Sequence, residues 1–415
     1  MTSTASDSTD IAIIGAGPAG AIAAKCLCDR GFRVRVIEAA QFPRFTIGES
    51  LLPQCMEDLA AAGLLDTVND GGYQRKNGAR FSQDEHVVDI DFRDKFSDGP
   101  GETFQVERAE FDHRLIQAAI EAGAEVRFGA RVNGFTPDAN APSLDITPDD
   151  GAPYRLDARF VIDASGPGRV LARLCGLSRD PALSPRTAVF AHLHDNITAP
   201  GYDREKILLG AHHSAAERWF WLIPFSNGRA SLGFVEPSDR LPQLGDSAED
   251  RYRALWASFP ELKRLLEHAE LLRTPGEIQG YSANVTALTG PGYAIAGNAG
   301  EFLDPIFSSG VTIALRSGRR AAELAARELN GEAVDWRTEY EQPLRHGIDV
   351  FRAFVEAWYD GTLQTIIFHP NPPVYLKRMI SAVLAGYAWD TANPFVANPR
   401  KHLGTLLDLC RKESA

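Results

Sequence analysis

The sequence predicts an α/β protein with a parallel sheet begun at the N-terminus, a second β-rich body and a helical C-terminal region. Three observations predict it. An apolar run, Ile11–Ile14, leads into a glycine turn, a helix and a second apolar run, Arg33–Ile37, which is the order of a βαβ unit. Further apolar runs that end in glycine turns recur far along the chain, in "ARFVIDASGPGRV" and "GYAIAGNAGEFLDP", as buried parallel strands do. The segments "TAVFAHLH" and "ASLGFV" alternate apolar and small or polar residues, the period of strands with one covered face.

The first unit is the most informative. Ile11–Ile14 is short and apolar, as a central strand should be. Gly15, Gly17 and Gly20 follow as G-x-G-x-x-G. The first glycine serves the tight turn, the second lets the backbone approach a pyrophosphate, and the third lets helix and strand pack closely. A helix over Ala19 to about Arg30 offers its positive N-terminus to phosphate. The strand Arg33–Ile37 ends at Glu38, about 20 residues past the glycines, where a carboxylate accepts hydrogen bonds from ribose hydroxyls. Strand, glycines, helix and acid together make a dinucleotide-binding fingerprint. Only one is visible, so no separate NAD(P)H domain is expected.

Composition narrows the partners. The 415 residues carry 43 Lys and Arg against 55 Asp and Glu, a net charge of −12. That balance argues against nucleic acid, and any anion must be drawn in by a local positive site. The five cysteines, Cys26, Cys28, Cys55, Cys175 and Cys410, are odd in number and scattered. They suggest neither a disulfide framework nor a zinc site, and fit a reducing compartment. The polar, acidic start lacks the positive leader of a secretory signal, and the longest apolar run, Ile11–Ala24, is too short for a bilayer. A cytoplasmic protein with no membrane span is expected. His192 and His194 share a face of one strand without a third ligand in range, so no metal is expected. His212–His213 reads as a loop.

The distant pieces together resemble the glutathione-reductase-type FAD fold, in the subgroup of flavin hydroxylases and their relatives. The resemblance spans roughly residues 8 to 330, and includes "FQVERAEFDHRLIQAAIEAGAEVRFGARV" as strand, helix and strand. It implies FAD held by Gly15, Gly17, Gly20, Glu38, Arg44, Arg108, Val132, Asp163, Asn298, Asp304, Gly310 and Val311, with the flavin ring near the helix that starts around Ser309. One departure is Gly297-Asn298, where that family usually has Gly-Asp. Asn can still hydrogen-bond a ribityl hydroxyl but carries no charge.

"RWFWLIP", Arg218–Pro224, poses a question: why are Trp219, Phe220 and Trp221 consecutive? A strand buried on both faces would explain it. With "FPRFTIGESLLP" and "YQRKNGARF", however, the segment resembles flavin-dependent halogenases, which carry W-x-W-x-I-P; Trp219, Trp221, Ile223 and Pro224 match, and Arg218 stands where glycine is frequent. The G-E-S-L-L-P and F-S-S-G-V forms look like the branch acting on phenolic, pyrrolic or carrier-tethered substrates. The resemblance implies that reduced FAD, O2 and chloride or bromide give hypohalous acid. Backbone amides at Ser308, Ser309 and Gly310 would bind the halide. Lys76 would guide the oxidant as a hydrogen-bond donor or a transient haloamine, and burial should lower its pKa. Trp219 and Trp221 would separate substrate from flavin. Glu49 and Ser50 line the flavin site or cap a helix beginning near Leu51.

Phe307 occupies the position of a glutamate in the tryptophan-acting branch, which argues against free tryptophan; an electron-rich phenol or pyrrole still needs a base for its ring proton. A separate flavin reductase would supply reduced FAD, and an acyl carrier protein is a candidate partner. Three rival readings remain: a flavin monooxygenase that hydroxylates, an isoprenoid-type flavin reductase, and a flavoprotein serving in assembly.

The expected organisation is a discontinuous FAD domain over 8–80, 103–180 and 275–330, a mostly antiparallel substrate-side sheet over 81–102 and 181–274, and helices over 331–415. Ile348, Phe351, Phe354, Val355, Trp358 and Tyr359 lie at helical spacing. "NPPV" should end that helix at Asn371–Val374, and a second helix should run through "YLKRMISAVLAGYAWD".

Overall fold

The structure, a computed structural model, describes residues 7–181, 183–370 and 372–413. Strand Asp7–Ile14 lies between Tyr154–Asp163 and Val34–Glu38, and pairs with both in parallel. Tyr293–Ile295 extends the sheet on one side and Glu125–Phe128 on the other. Ile11, Ala12 and Ile13 are consecutive and fully buried, as in a central parallel strand covered on both faces. Helix Pro18–Cys28 packs against helices Arg108–Glu121 and Ser309–Leu329. The sheet is thus completed by residues almost 300 positions beyond its first strand. An antiparallel ladder, Ala130–Thr136 with Ser143–Pro148, feeds into the start of Tyr154–Asp163.

The second large sheet has the order Glu270–Leu271, Arg186–His194, Arg229–Pro237, Ala215–Pro224, Lys206–His212, Gly78–Gln83 and His86–Asp91. Its pairs are antiparallel except Lys206–His212 with Gly78–Gln83. Its two faces go to different cores. Val189, Ala191, Phe220, Leu222 and Phe234 pack under Tyr252, Leu255, Phe259 and Leu262 of two short helices. Ala188, Phe190, Leu209, Trp219, Trp221 and Val235 turn the other way, into the core shared with the first sheet. The three consecutive rings are therefore divided by the pleat: Phe220 faces one core, and both tryptophans face the other.

The C-terminal region is helical. Gln342–Tyr359 buries Phe351, Phe354, Val355 and Trp358 and ends at Asp360–Gly361, well before the expected break; Asn371 lies outside the described residues. The next long helix, Val374–Leu384, stops short of "GYAWD". Two further differences concern local reading. The helix expected near Leu51 begins at Cys55 with Gln54 at its cap, so Ser50 is free for another role. His212 closes a strand, and its ring stacks on His213 with centroids 4.6 Å apart. Among the described residues no helix is long and apolar enough to cross a membrane, and no cluster of His, Cys, Asp or Glu could hold a metal ion.

Candidate functional site

The nucleotide loop is built from backbone. Gly15 has φ +98°, and a side chain there would meet Ala164 O at 2.5 Å; only glycine takes that conformation without strain. A Cβ on Gly20 would lie 1.9 Å from Gly15 O, so helix and turn touch. Gly17 is different. Its nearest neighbour is Arg44 Nη2, 3.5 Å from where a Cβ would sit. The open side of the turn therefore faces a guanidinium and the start of helix Pro18–Cys28, both favourable to phosphate. Glu38 braces this loop, its carboxylate accepting from Ala16 N at 2.7 Å and Ala40 N at 2.8 Å. Arg44 and Arg108 are joined through the fully buried Asp112, and Arg108 also donates to Ile47 O and Gly48 O.

These residues fit FAD. The Asn298 Oδ1 atom is buried and has no hydrogen-bond partner among the described residues. It lies 3.7 Å from where a Cβ on Gly310 would be. An orphaned acceptor at this position suits a ligand hydroxyl. Val132 is buried in its strand, and Val311 sits in the first turn of helix Ser309–Leu329.

Two expected ligand acids have other work. Asp163 is fully buried and accepts from Ser165 N at 3.0 Å and Leu171 N at 2.7 Å, so it shapes its own loop. Asp304 accepts from Ile306 N through Oδ1, and through Oδ2 from Tyr281 at 2.9 Å and Tyr359 at 2.8 Å. Burial pushes its carboxyl up, against hydrogen bonds that pull it down. Of the three amides expected to bind halide, Ser308 N donates to Pro305 O at 3.0 Å, which leaves Ser309 and Gly310 at the helix start. Ser308 itself is left-handed, with φ 55°.

Lys76 is 1 % exposed. Its Nζ donates to Ser50 Oγ at 2.7 Å and Leu51 O at 2.8 Å, and lies 5.4 Å from the Phe92 ring centre. Burial lowers its pKa to about 7, and among the described residues no carboxylate pairs with it to hold the charge. The ammonium is thus ready to lose its proton near neutrality.

The tryptophans are fixed by polar contacts. Trp221 Nε1 donates to Ser231 Oγ at 3.1 Å, and its ring lies over Gly233, where a Cβ would come within 2.1 Å of Cζ2. Trp219, fully buried, donates to the Tyr359 hydroxyl at 3.0 Å. Tyr359 in turn bonds Asp304 and carries the Arg186 guanidinium 3.4 Å from its ring centre. Phe81 and Phe307 both pack on Trp358, one residue before Tyr359. Arg218, in the place of the frequent glycine, pairs with the fully buried Glu236.

Sequence reasoning did not find Tyr281, Tyr359 or Arg186; one polar tip at the end of an apolar helix face was the available signal for Tyr359. It also left Glu49 without a partner. In the structure Glu49 Oε1 is 2.6 Å from His192 Nε2, while Glu49 Oε2 is buried and unpaired among the described residues.

A parallel sheet with a glycine-turn cradle, joined to a sheet that carries two walled tryptophans, defines an FAD-binding oxidoreductase. The FAD binding domain family matches residues 8–262. The chain is 32 % identical over 353 residues to the flavin-dependent halogenase armH3 of Armillaria mellea, covering 79 % of this chain and 69 % of that one. It is 29 % identical over 343 residues to the 1H-pyrrole-2-carbonyl-(peptidyl-carrier protein) brominase of Pseudoalteromonas luteoviolacea, covering 80 % of each. A solved structure from Cytophaga hutchinsonii, described as a flavoprotein/dehydrogenase, superposes with a TM-score of 0.95 at 40 % identity, over 99 % of this chain and 100 % of that one. The chain belongs to the FAD binding domain family and, within it, to the flavin-dependent halogenases.

Proposed function

We propose that this enzyme halogenates an electron-rich aromatic, phenol- or pyrrole-like and tethered to a carrier protein, in secondary metabolism. The observation that carries the reading is Lys76: a lysine 1 % exposed, with no carboxylate partner among the described residues, held between Ser50 and Leu51 with a pKa lowered to about 7. Such a group costs stability, which a purely structural role would not require. The carrier-tethered class is supported by the pyrrolyl-carrier-protein brominase relative.

Gly15, Gly17, Gly20, Glu38, Arg44 and Asn298 would hold FAD, with Arg108 setting the loop behind Arg44. Bound and reduced, FAD would supply the two electrons that let O2 oxidise the halide to hypohalous acid, the second oxygen leaving as water. The amides of Ser309 and Gly310 orient the halide. Lys76 donates a hydrogen bond to the hypohalous acid in its protonated state, or takes the halogen in its neutral state. Trp219 and Trp221 exclude the aromatic substrate from the flavin while a small oxidant passes. A separate flavin reductase delivers reduced FAD, consistent with the single dinucleotide fingerprint. The FAD-binding part comprises 8–80, 103–180 and 275–330, the substrate side 81–102 and 181–274, and the C-terminal helices from 331 roof it.

A second reading, a flavin reductase working without O2, is favoured by the description of the 40 % identical neighbour as a dehydrogenase. One experiment separates them. The protein is loaded with FAD, reduced without oxygen, and mixed with oxygen with and without bromide, catalase and a halogen-accepting trap being present. Bromide-dependent trap halogenation that Lys76→Ala abolishes supports the halogenase reading. Oxygen consumption indifferent to bromide supports a hydroxylase, and substrate reduction without oxygen supports the reductase.

A further inference from the structure

Halogen substitution on an aromatic ring releases a proton, and none of the residues assigned so far receives it. The face of the second sheet that carries Trp219 and Trp221 also carries the imidazole of His192. Trp221 pairs with Gly233, and Gly233 with Phe190; two residues along, Ile223 pairs with Ser231, and Ser231 with His192. Cross-strand partners share a face, so Trp221, Phe190, Ile223 and His192 look toward the same core.

His192 meets Glu49 there. Its Nε2 is 2.6 Å from Glu49 Oε1, which leaves Nδ1 as the other ring nitrogen. Glu49 is 1 % exposed, and its second oxygen has no partner among the described residues. A carboxylate kept only to tie a loop to a strand would normally have both oxygens satisfied, because an unpaired buried acceptor costs about 1–3 kcal/mol. Aromatic rings surround the pair. Phe45 and Phe225 stand edge-on to His192 at 5.3 and 5.4 Å. Phe45 also stacks on Phe190 at 6.2 Å, and Phe190 on Trp221 at 6.4 Å. Phe45 is 42 % exposed, so the group opens to solvent at that end.

The adjacency in sequence matters most. Glu49 and Ser50 are consecutive, with α-carbons about 3.8 Å apart, yet Glu49 reaches His192 and Ser50 receives Lys76. One short segment thus ties the imidazole through Glu49 and the lysine through Ser50.

We propose that His192 is the general base of the halogenation and Glu49 its positioning residue, and that the unpaired Glu49 oxygen accepts the O–H or N–H of a phenol or pyrrole. This rests on the halogenase reading given above. The ring's π electrons form the C–halogen bond as the halogen–oxygen bond of hypohalous acid breaks and hydroxide leaves. The C–H bond then breaks, its electron pair returns to the ring, and its proton passes to His192 Nδ1. Hydroxide takes that proton when the imidazolium discharges, so an aromatic C–H and hypohalous acid become an aromatic C–halogen and water.

The test uses the FAD-loaded enzyme with bromide and two acceptors, monochlorodimedone as a trap for free oxidant and resorcinol as a phenol probe, in wild type, His192→Ala, His192→Gln and Glu49→Gln. The expected result is trap bromination within twofold of wild type in both His192 variants. In a parallel assay with excess methionine to scavenge free hypobromite, resorcinol bromination should fall about 100-fold in both His192 variants and recover partly with added imidazole in His192→Ala. Glu49→Gln should lower kcat more than it raises KM. In FAD-free protein, 4-nitrophenol, followed by its phenolate absorbance, should bind at least tenfold more weakly to the His192 variants. Near-UV circular dichroism checks folding, and the glutamine variant serves if alanine disrupts it. Resorcinol bromination at the wild-type rate in a folded His192 variant overturns the proposal, as does equal loss of both acceptors. Wild type that brominates the trap but not resorcinol overturns the phenol assignment. Wild type with no bromide-dependent product sinks the halogenase reading itself, a distinct result.

Discussion

Ser50 and Lys76 lie 26 positions apart in the sequence and 2.7 Å apart in space. The Lys76 ammonium donates to the Ser50 hydroxyl and to the Leu51 carbonyl, and among the described residues no acid completes the set. Two neutral oxygens cannot repay the removal of a charge from water, which is why burial brings the lysine to about pH 7.

The lowered pKa links Lys76 to stability. Unfolded, its pKa returns to about 10.4, so between pH 7 and that value the unfolded chain binds more protons than the folded one, and stability from this group rises with pH. Below pH 7 both states are charged, and the full burial penalty is present. Wild type should therefore gain on Lys76→Met as pH rises from about 7 to 10, by on the order of 4 kcal/mol. Urea unfolding of both proteins across that range measures the difference; a pH-independent gap would show that the lysine is not charged in the unfolded chain and neutral in the folded one.

Tyr359→Phe removes the acceptor of Trp219 Nε1 and one of the two tyrosine donors to Asp304 Oδ2. A buried indole N–H left alone costs about 1–3 kcal/mol. Denaturant midpoints should fall accordingly, and tryptophan emission of the FAD-free protein should shift. Unchanged emission would mean that Trp219 has no need of Tyr359.

Arg218 pairs with Glu236, which is fully buried. Arg218→Ala leaves that carboxylate stranded, at a cost of about 3–5 kcal/mol. Restoring the family's frequent glycine at 218 should destabilise in the same way, and pairing either change with Glu236→Gln should recover most of the loss. A double-mutant cycle by thermal unfolding gives the coupling directly; additive effects would rule the pair out as the cause.

Gly233→Ala places a methyl 2.1 Å from Trp221 Cζ2, so the indole must move. Overpacking of this kind costs about 1–3 kcal/mol, and on the proposed role of Trp221 it should raise the share of reduced flavin lost as peroxide rather than spent on halide. Peroxide yield with and without bromide is the measurement.

What the sequence disclosed was local. Gly15, Gly17, Gly20 and Glu38 lie within one βαβ unit, so their spacing carries the tight turn, the close helix packing and the place of the acid beside the loop. The pleat of Trp219 and Trp221 was legible for the same reason, since strand alternation has a period of two. The polar pairings were not legible, because each joins distant segments: Glu49 to His192 across 143 positions and Trp219 to Tyr359 across 140. Asp163 and Asp304 misled because an acid beside a turn can serve a ligand or the backbone equally well, and only the directions of the nearby N–H and O–H groups decide.

The anchor of Trp219 has a consequence for anyone recombining relatives of this protein. The FAD family match ends at residue 262, yet the hydroxyl that holds the tryptophan belongs to Tyr359. A chimera joined there would take its aromatic wall from one parent and the pin that fixes it from the other. On the proposed role of Trp219, exchange of the C-terminal helices is an exchange of active-site parts, and shuffling libraries should keep Trp219, Asp304 and Tyr359 from a single parent.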